Sequence, residues 1–192
     1  IIIVNYNTKD LIKNCIDSIY KQTKDIKFEI IVSDNGSIDG SIEMIKSEFP
    51  NVILIENNAN LGFGAANNKG LKIAKGKYIF YLNSDTVLLN NAVKYFFDYW
   101  ENSPDKEEIG ALGSNLLDVD GKVIHSYGKF LSINHEIYTT LKVLLNISKF
   151  TILKVLFNKP IPKCISTCIE EKKYIGTVDY ITGADLFLKN SQ

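Results

Sequence analysis

The chain has 192 residues, and its 22 basic side chains, all of them lysine, balance 22 carboxylates for a formal net charge of zero. One domain of this length can bury about 70% of its unfolded surface, and a chain that is 45% hydrophobic and 23% charged is not wholly disordered. Neutrality without arginine argues against charge-driven nucleic-acid binding and removes the bidentate guanidinium clamp on phosphate, so any phosphate handled here must be neutralised in another way.

Residues 1–4 (Ile-Ile-Ile-Val) predict a buried strand, and a chain that opens inside a strand without an initiator Met is expected to be a fragment. Asn7 or Thr8 then caps a helix with the inward stripe Leu11, Ile12, Cys15, Ile16, Ile19 and Tyr20. A second strand is predicted at 28–32, and after Asp34-Asn35-Gly36-Ser37 comes a helix through Ile42, Ile45 and Phe49 that Pro50 ends. A third strand at 52–55, a helix at 64–74, a fourth strand at 77–82 and a helix at about 90–101 continue the alternation. Doubly buried strands separated by amphipathic helices predict an α/β domain with a mostly parallel sheet covered on both faces.

Beyond residue 101 the pattern changes. Runs at 109–117 and 123–127 flank Asp118-Val119-Asp120-Gly121, a hairpin signal. Residues 141–157 are apolar nearly all round, with Lys142, Asn146 and Lys149 as a narrow polar stripe. They read as an internal packing helix, the alternative being a helix on a membrane surface or on a partner segment. Strand character returns at 178–188, interrupted by Gly183. Cys15, Cys164 and Cys168 are too few and too uneven for a disulfide framework, which favours a reducing compartment, and the spacing of the last two does not fit a zinc site. The sequence shows no signal peptide and no apolar run of membrane-spanning length.

In parallel sheets ligands bind beyond the carboxyl ends of the strands. Here those ends carry Asn5-Tyr6-Asn7, Asp34-Asn35-Gly36-Ser37, Asn57-Asn58-Ala59-Asn60 and Asn83-Ser84-Asp85. Four polar clusters on one edge predict a site for a hydrogen-bonding ligand, although Asp34 with Ser37, taken alone, reads equally as a turn and helix cap. Gly62-Phe63-Gly64 before a helix suggests a dinucleotide loop, but it does not follow the first strand and Asn67 replaces the third glycine.

The blocks Val4-Asn5-Tyr6-Asn7, Val32 to Ser41, Asn60 to Asn67 and Tyr81 to Asp85 occur in order over the first ninety residues. In these the chain resembles the family 2 glycosyltransferases with their GT-A fold, and within them the rhamnosyltransferase-like branch of bacterial surface polysaccharide assembly. The resemblance implies a Rossmann-like sheet with a C-terminal antiparallel and helical acceptor-side region. It divides the chain into a nucleotide-sugar-binding half, 1–118, and an acceptor-side part, 119–192, truncated at its C-terminal end. It implies an inverting transfer from a UDP- or dTDP-sugar to a hydroxyl of a glycan or lipid-linked acceptor. By similarity Tyr6 lies against the base, Asp34 bonds to it, and Asn35, Asn60, Gly62, Asn67, Asn83, Ser84 and Asp85 complete the donor site.

Asn83-Ser84-Asp85 stands at the family's Asp-x-Asp position, so Asp85 is the expected ligand of Mg2+ or Mn2+, with backbone amides and Lys69 assisting. Gly183, Ala184 and Asp185 correspond to the acceptor side, and the general base is expected beyond Gln192. The implied location is cytoplasmic, with peripheral contact at the inner membrane face through 141–157. The alternatives are a dinucleotide-dependent oxidoreductase and a non-catalytic sugar-nucleotide-binding module.

Overall fold

The computed structural model describes residues 1–124, 126–128, 180–181 and 185–190. They form two compact units, Ile1–Ser114 with Ile181–Gln192, and Asn115–Tyr180. The first unit carries β1 (Ile2–Asn5), α1 (Lys9–Gln22), β2 (Ile31–Asp34), α2 (Ser41–Glu48), β3 (Ile53–Glu56), α3 (Phe63–Ile73), β4 (Tyr78–Asn83) and α4 (Ala92–Asn102). After these come β5 (Leu116–Leu117), β6 (Val123–Ile124), β7 (Tyr127–Gly128), β8 (Tyr180–Ile181) and β9 (Asp185–Lys189).

The main sheet has the order β3-β2-β1-β4-β9. Its first four strands are parallel, in the register Ile3↔Val32, Val32↔Leu54 and Ile3↔Leu82. β9 runs antiparallel to β4 with Phe80 opposite Phe187 and Leu82 opposite Asp185. Alternation along the strands sends Ile3, Val32, Phe80 and Leu82 to one face, where Ile12, Ile16 and Ile19 of α1, Ile45 of α2 and Trp100 of α4 cover them. Ile2, Ile31 and Ile79 point to the other face, with Leu71 of α3 packed against them. Gly70 lets α3 come close, since a Cβ there would sit 2.6 Å from Cγ2 of Ile2.

β9 is locked by aromatic packing. The Phe187 ring, 3% exposed, lies 5.1 Å from that of Tyr78, 5.4 Å from Phe96 and 6.1 Å from Trp100. The sequence division at residue 118 grouped 185–189 with the acceptor-side part, whereas these residues complete the sheet of the first unit by pairing with β4. The strand expected at 109–117 shortens to β5 and a single bridge from Leu112 to Phe187. In the second unit the hairpin predicted at Asp118 forms, with Leu116 opposite Ile124. The Asp118 carboxylate caps its turn by accepting from the amides of Asp120 and Lys122, both at 2.9 Å. The expectation for 141–157 lies outside the described residues, as do Cys164 and Cys168. Among the described residues no helix is long and apolar enough to cross a membrane.

Two residues of the predicted inward stripe of α1 emerge instead. Leu11 is 47% and Tyr20 37% exposed, because the face that α1 buries is narrower than the apolar stripe of its sequence.

Candidate functional site

The strand order places β1 between β2 and β4: the chain steps from β1 to β2 and β3 on one side, and the connection from β3 then crosses back to β4 on the other side of β1. Such a switch point opens a crevice at the carboxyl ends of the strands. An open cleft of about 340 Å³ lies there. Its walls come from the ends of β1 and β4, from α1, and from the segments after β2 and β3. Val4, Tyr6, Thr8 and Leu11 form one side, Asn35, Asn60 and Phe63 a second, and Asn83, Ser84 and Asp85 the third.

Asp34 lies beneath this cleft, fully buried, and does not line it. Oδ1 accepts from the amides of Gly36 at 3.0 Å and Ser37 at 2.8 Å, and Oδ2 accepts from Ser37 Oγ and Asn5 Nδ2, each at 2.7 Å. A carboxylate offers about four acceptor positions, and here the chain itself fills them. The turn part of the turn-and-cap reading is therefore what Asp34 does in this structure, whereas the cap part is not: α2 starts at Ser41 behind Gly40, with no side-chain cap bond. Gly36 takes φ +79°, and a Cβ there would lie 2.9 Å from the Ala59 backbone nitrogen, so only glycine lets the segments after β2 and β3 meet.

A second layer of amides joins those segments. Asn57 Nδ2 donates to Ser33 Oγ and Asn35 Oδ1, both at 3.0 Å, and Asn35 Nδ2 reaches Asn60 Oδ1 and the Gly62 carbonyl at 3.4 Å. Gly62 itself adopts φ +82° and donates its N–H to Asn60 Oδ1 at 3.0 Å. It shapes the loop after edge strand β3 rather than lining the cleft. Asn67 is buried on α3, and Lys69 is exposed on the same helix, neither at the cleft wall. The Gly62-Phe63-Gly64 turn follows edge strand β3 and not the central β1, which is not where a dinucleotide loop stands.

On the β4 side, the hydroxyls of Thr8 and Ser84 meet at 3.1 Å, and Thr8 donates to Asn5 Oδ1 at 2.6 Å. Below them Cys15 is buried with its Sγ 3.6 Å from the Asn83 carbonyl. Burial, with the nearby Asp85 charge adding to it, pushes this thiol up to about 12, so it stays neutral. Asp85 is exposed in the cleft, and the Oδ1 of Asn83 is buried without a hydrogen-bond partner. One free carboxylate beside one orphaned amide oxygen is a hard-oxygen donor set that suits Mg2+ or Mn2+, provided the remaining ligands come from phosphate and water. Among the described residues no cluster of three His, Cys, Asp or Glu could hold a metal without such help.

Of the acceptor-side residues, Gly183 and Ala184 lie outside the described residues. Asp185 is 2% exposed at the start of β9; Ser114 donates both its amide, at 2.8 Å, and its hydroxyl to Oδ2, while Oδ1 has no partner. Burial raises the pKa of its carboxyl, against the opposing hydrogen bonds of Ser114. The structure thus brings Tyr6, Asn35, Asn60, Asn83, Ser84 and Asp85 together. Sequence reasoning missed Val4, Thr8, Leu11 and Phe63 as cleft residues; the available signal was that each adjoins, or lies within a turn of, a polar strand end.

Fold and cleft define the class first: a Rossmann-like α/β protein whose ligand site lies past the carboxyl ends of a parallel sheet. Residues 1–169 match the family model described as glycosyl transferase family 2, and the chain belongs to that family. It is 35% identical over 117 residues to the poly(ribitol-phosphate) beta-glucosyltransferase of Bacillus spizizenii, a match covering 58% of this chain and 18% of that one. It is 40% identical over 111 residues to the UDP-Glc:alpha-D-GlcNAc-diphosphoundecaprenol beta-1,3-glucosyltransferase WfaP of Escherichia coli, covering 52% of this chain and 43% of the relative.

Among solved structures, the mannosyltransferase PcManGT from Pyrobaculum calidifontis in complex with GDP-Man and Mn2+ superimposes with a TM-score of 0.52 at 25% identity, covering 61% of this chain and 34% of that one. Residues 1–349 of S. aureus TarS in complex with UDP give a TM-score of 0.54 at 24% identity, covering 67% of this chain and 38% of TarS. The expected GT-A architecture is the one observed. The chain spans less than half the length of each of these proteins.

Proposed function

We propose that the cleft binds a nucleoside diphosphate sugar and that the chain is the donor-binding part of an inverting, metal-assisted glycosyltransferase. The observation that carries this reading is the convergence of Tyr6, Asn35, Asn60, Asn83, Ser84 and Asp85 on one cleft at the switch point of a family 2 sheet. Tyr6 offers an aromatic face to the base, and the amides of Asn35 and Asn60 offer hydrogen bonds to base and ribose. Asp34 acts through the frame it builds rather than by a free oxygen. Gly62 and Asn67 shape and support the wall. Asp85 and Asn83 would hold the divalent ion, whose chemistry is to offset charge on the leaving diphosphate, a role that matters more in a chain without arginine.

Among the described residues Asp85 is the one carboxylate lining the cleft, and a carboxylate committed to a cation is a poor proton acceptor. The family resemblance puts the base that deprotonates the acceptor hydroxyl in the part that follows the Gly183, Ala184 and Asp185 segment, itself on the acceptor side. The named relatives transfer glucose, one of them to an undecaprenol-linked sugar. They support a glycan or lipid-linked acceptor; the block resemblance adds the rhamnosyltransferase-like branch and a place at the cytoplasmic membrane face.

Calorimetric titration of UDP in the presence of Mn2+ tests the reading. Wild-type chain is expected to bind, and Asp85→Ala to weaken binding at least about tenfold with an unchanged melting temperature, because an exposed side chain contributes little to folding. Absence of binding to UDP, dTDP and GDP alike, or an Asp85→Ala variant that binds as wild type, overturns it. A turnover assay on a longer chain separates the enzyme from a non-catalytic binding module.

A further inference from the structure

We propose that Asn7 is a positioning residue that aims the Tyr6 ring into the cleft, an inference that rests on the nucleotide-sugar reading of that cleft. Tyr6 is 48% exposed, lines the cleft, and makes no side-chain hydrogen bond among the described residues. With no such bond to hold it, the side chain takes its starting direction from the backbone on either side. On one side Asn5 is fully buried and bonded to Asp34 at 2.7 Å. On the other side Asn7 adopts φ +53°, a left-handed conformation that asparagine, aspartate and glycine tolerate and other residues resist.

The Asn7 side chain turns away from the cleft and clamps the loop after β2. Its Oδ1 accepts from the Ile38 amide at 2.9 Å, and the backbone N–H of Asn7 donates to Ser37 Oγ at 2.9 Å. Two further bonds tie the same loops, from Asn5 Nδ2 to Ser37 Oγ at 3.1 Å and from the Lys9 amide to Asp39 at 2.8 Å. Asn7 thus joins a left-handed turn to a loop-to-loop clamp at the one position where the chain must leave β1, present Tyr6, and enter α1.

Three substitutions separate these properties. Asn7→Asp keeps both the left-handed tolerance and an oxygen for Ile38; Asn7→Gly keeps only the first; Asn7→Ala keeps neither. UDP titrated calorimetrically with Mn2+ is expected to bind Asn7→Ala about tenfold more weakly than wild type, Asn7→Gly by an intermediate factor, and Asn7→Asp within twofold. The double variant Tyr6→Ala with Asn7→Ala is expected to bind no more weakly than Tyr6→Ala alone, because Asn7 acts through that ring. Should Asn7→Ala not fold, the contrast between Gly and Asp decides the matter.

Asn7→Ala or Asn7→Gly binding as wild type, or an Asn7→Ala loss that adds in full to that of Tyr6→Ala, overturns the positioning role. If wild type binds UDP and Tyr6→Ala weakens that binding, such a result leaves the nucleotide-sugar reading standing. If wild type binds no nucleotide, that reading falls and the inference with it.

Discussion

Replacing Asp34 by asparagine keeps the shape of the side chain and changes only what its atoms can accept. The new carbonyl oxygen can still take the amides of Gly36 and Ser37, now without the charge that strengthened those bonds. The new amide nitrogen faces Ser37 Oγ and Asn5 Nδ2, where Oδ2 had accepted at 2.7 Å. The Ser37 hydroxyl can rotate to accept only by giving up a bond from the Asn7 amide or from Asn5 Nδ2, which already fill its two acceptor positions. Asn5 Nδ2 cannot accept at all, because the Asn5 amide is fixed by Thr8 donating to its Oδ1. One buried donor is left facing another, at about 1–3 kcal/mol, and two weakened bonds add roughly 0.5 kcal/mol each. The expected destabilisation is about 3 kcal/mol, or about 6–12 °C in melting temperature for a chain of this size.

Urea denaturation of wild type and Asp34→Asn, followed by the fluorescence of Trp100, measures the change, and UDP titration on the same samples measures binding below the transition. Binding is expected to fall by a small factor, through distortion of the wall. A variant as stable as wild type that no longer binds UDP would show that a free Asp34 oxygen contacts the ligand, and the four-bond frame would be refuted.

Other substitutions probe the scaffold and its titration. Gly36→Ala forces a Cβ to 2.9 Å from the Ala59 backbone at φ +79° and is expected to cost about 2 kcal/mol or more in urea denaturation, with no gain from reduced unfolded-state entropy. Phe187→Ala empties the aromatic cluster that holds β9 against β4 and is expected to cost about 3–5 kcal/mol, read by thermal melting; a loss below 1 kcal/mol would mean that β9 is not docked as described.

Asp185 has a folded-state pKa raised by burial, so the native state holds its proton more tightly than the unfolded chain does. Its contribution to stability is therefore greatest below the ordinary carboxylate range, near 4, and declines as pH rises from there through the raised value. Asp185→Asn should remove this decline, so that the difference in unfolding free energy between variant and wild type grows with pH across that window. An unchanged difference from acid to neutral pH contradicts the assignment.

The site was legible where chemistry follows strand ends. Tyr6, Asn35, Asn60 and Asn83 to Asp85 could be marked from sequence because a parallel sheet delivers the residues after each strand to one edge, whatever the details of packing. Asp34 was legible as important but not as buried: an Asp-Asn-Gly-Ser string fits a ligand contact and a self-satisfied turn equally, and only the position of Asn5 on the neighbouring strand fills its last acceptor site. Leu11 showed the opposite failure, since helical periodicity assigned it to the core while the narrow contact of α1 with the sheet left it at the cleft.

By itself, the sequence determined the α/β alternation, the polar edge and the family blocks, because these depend on local periodicity and on residue types at fixed spacing. Its missing arginine also set a constraint that holds in the folded state: no residue of this sequence can clamp a phosphate with a guanidinium. Tertiary structure alone decided that residues 185–189 return to pair with β4, because Phe187 finds its place only in an aromatic cluster drawn from β4 and α4. It likewise decided which polar residues face the cleft and which are used up in holding it open, since a hydrogen bond between residues about thirty positions apart is settled by strand register, which no local pattern encodes.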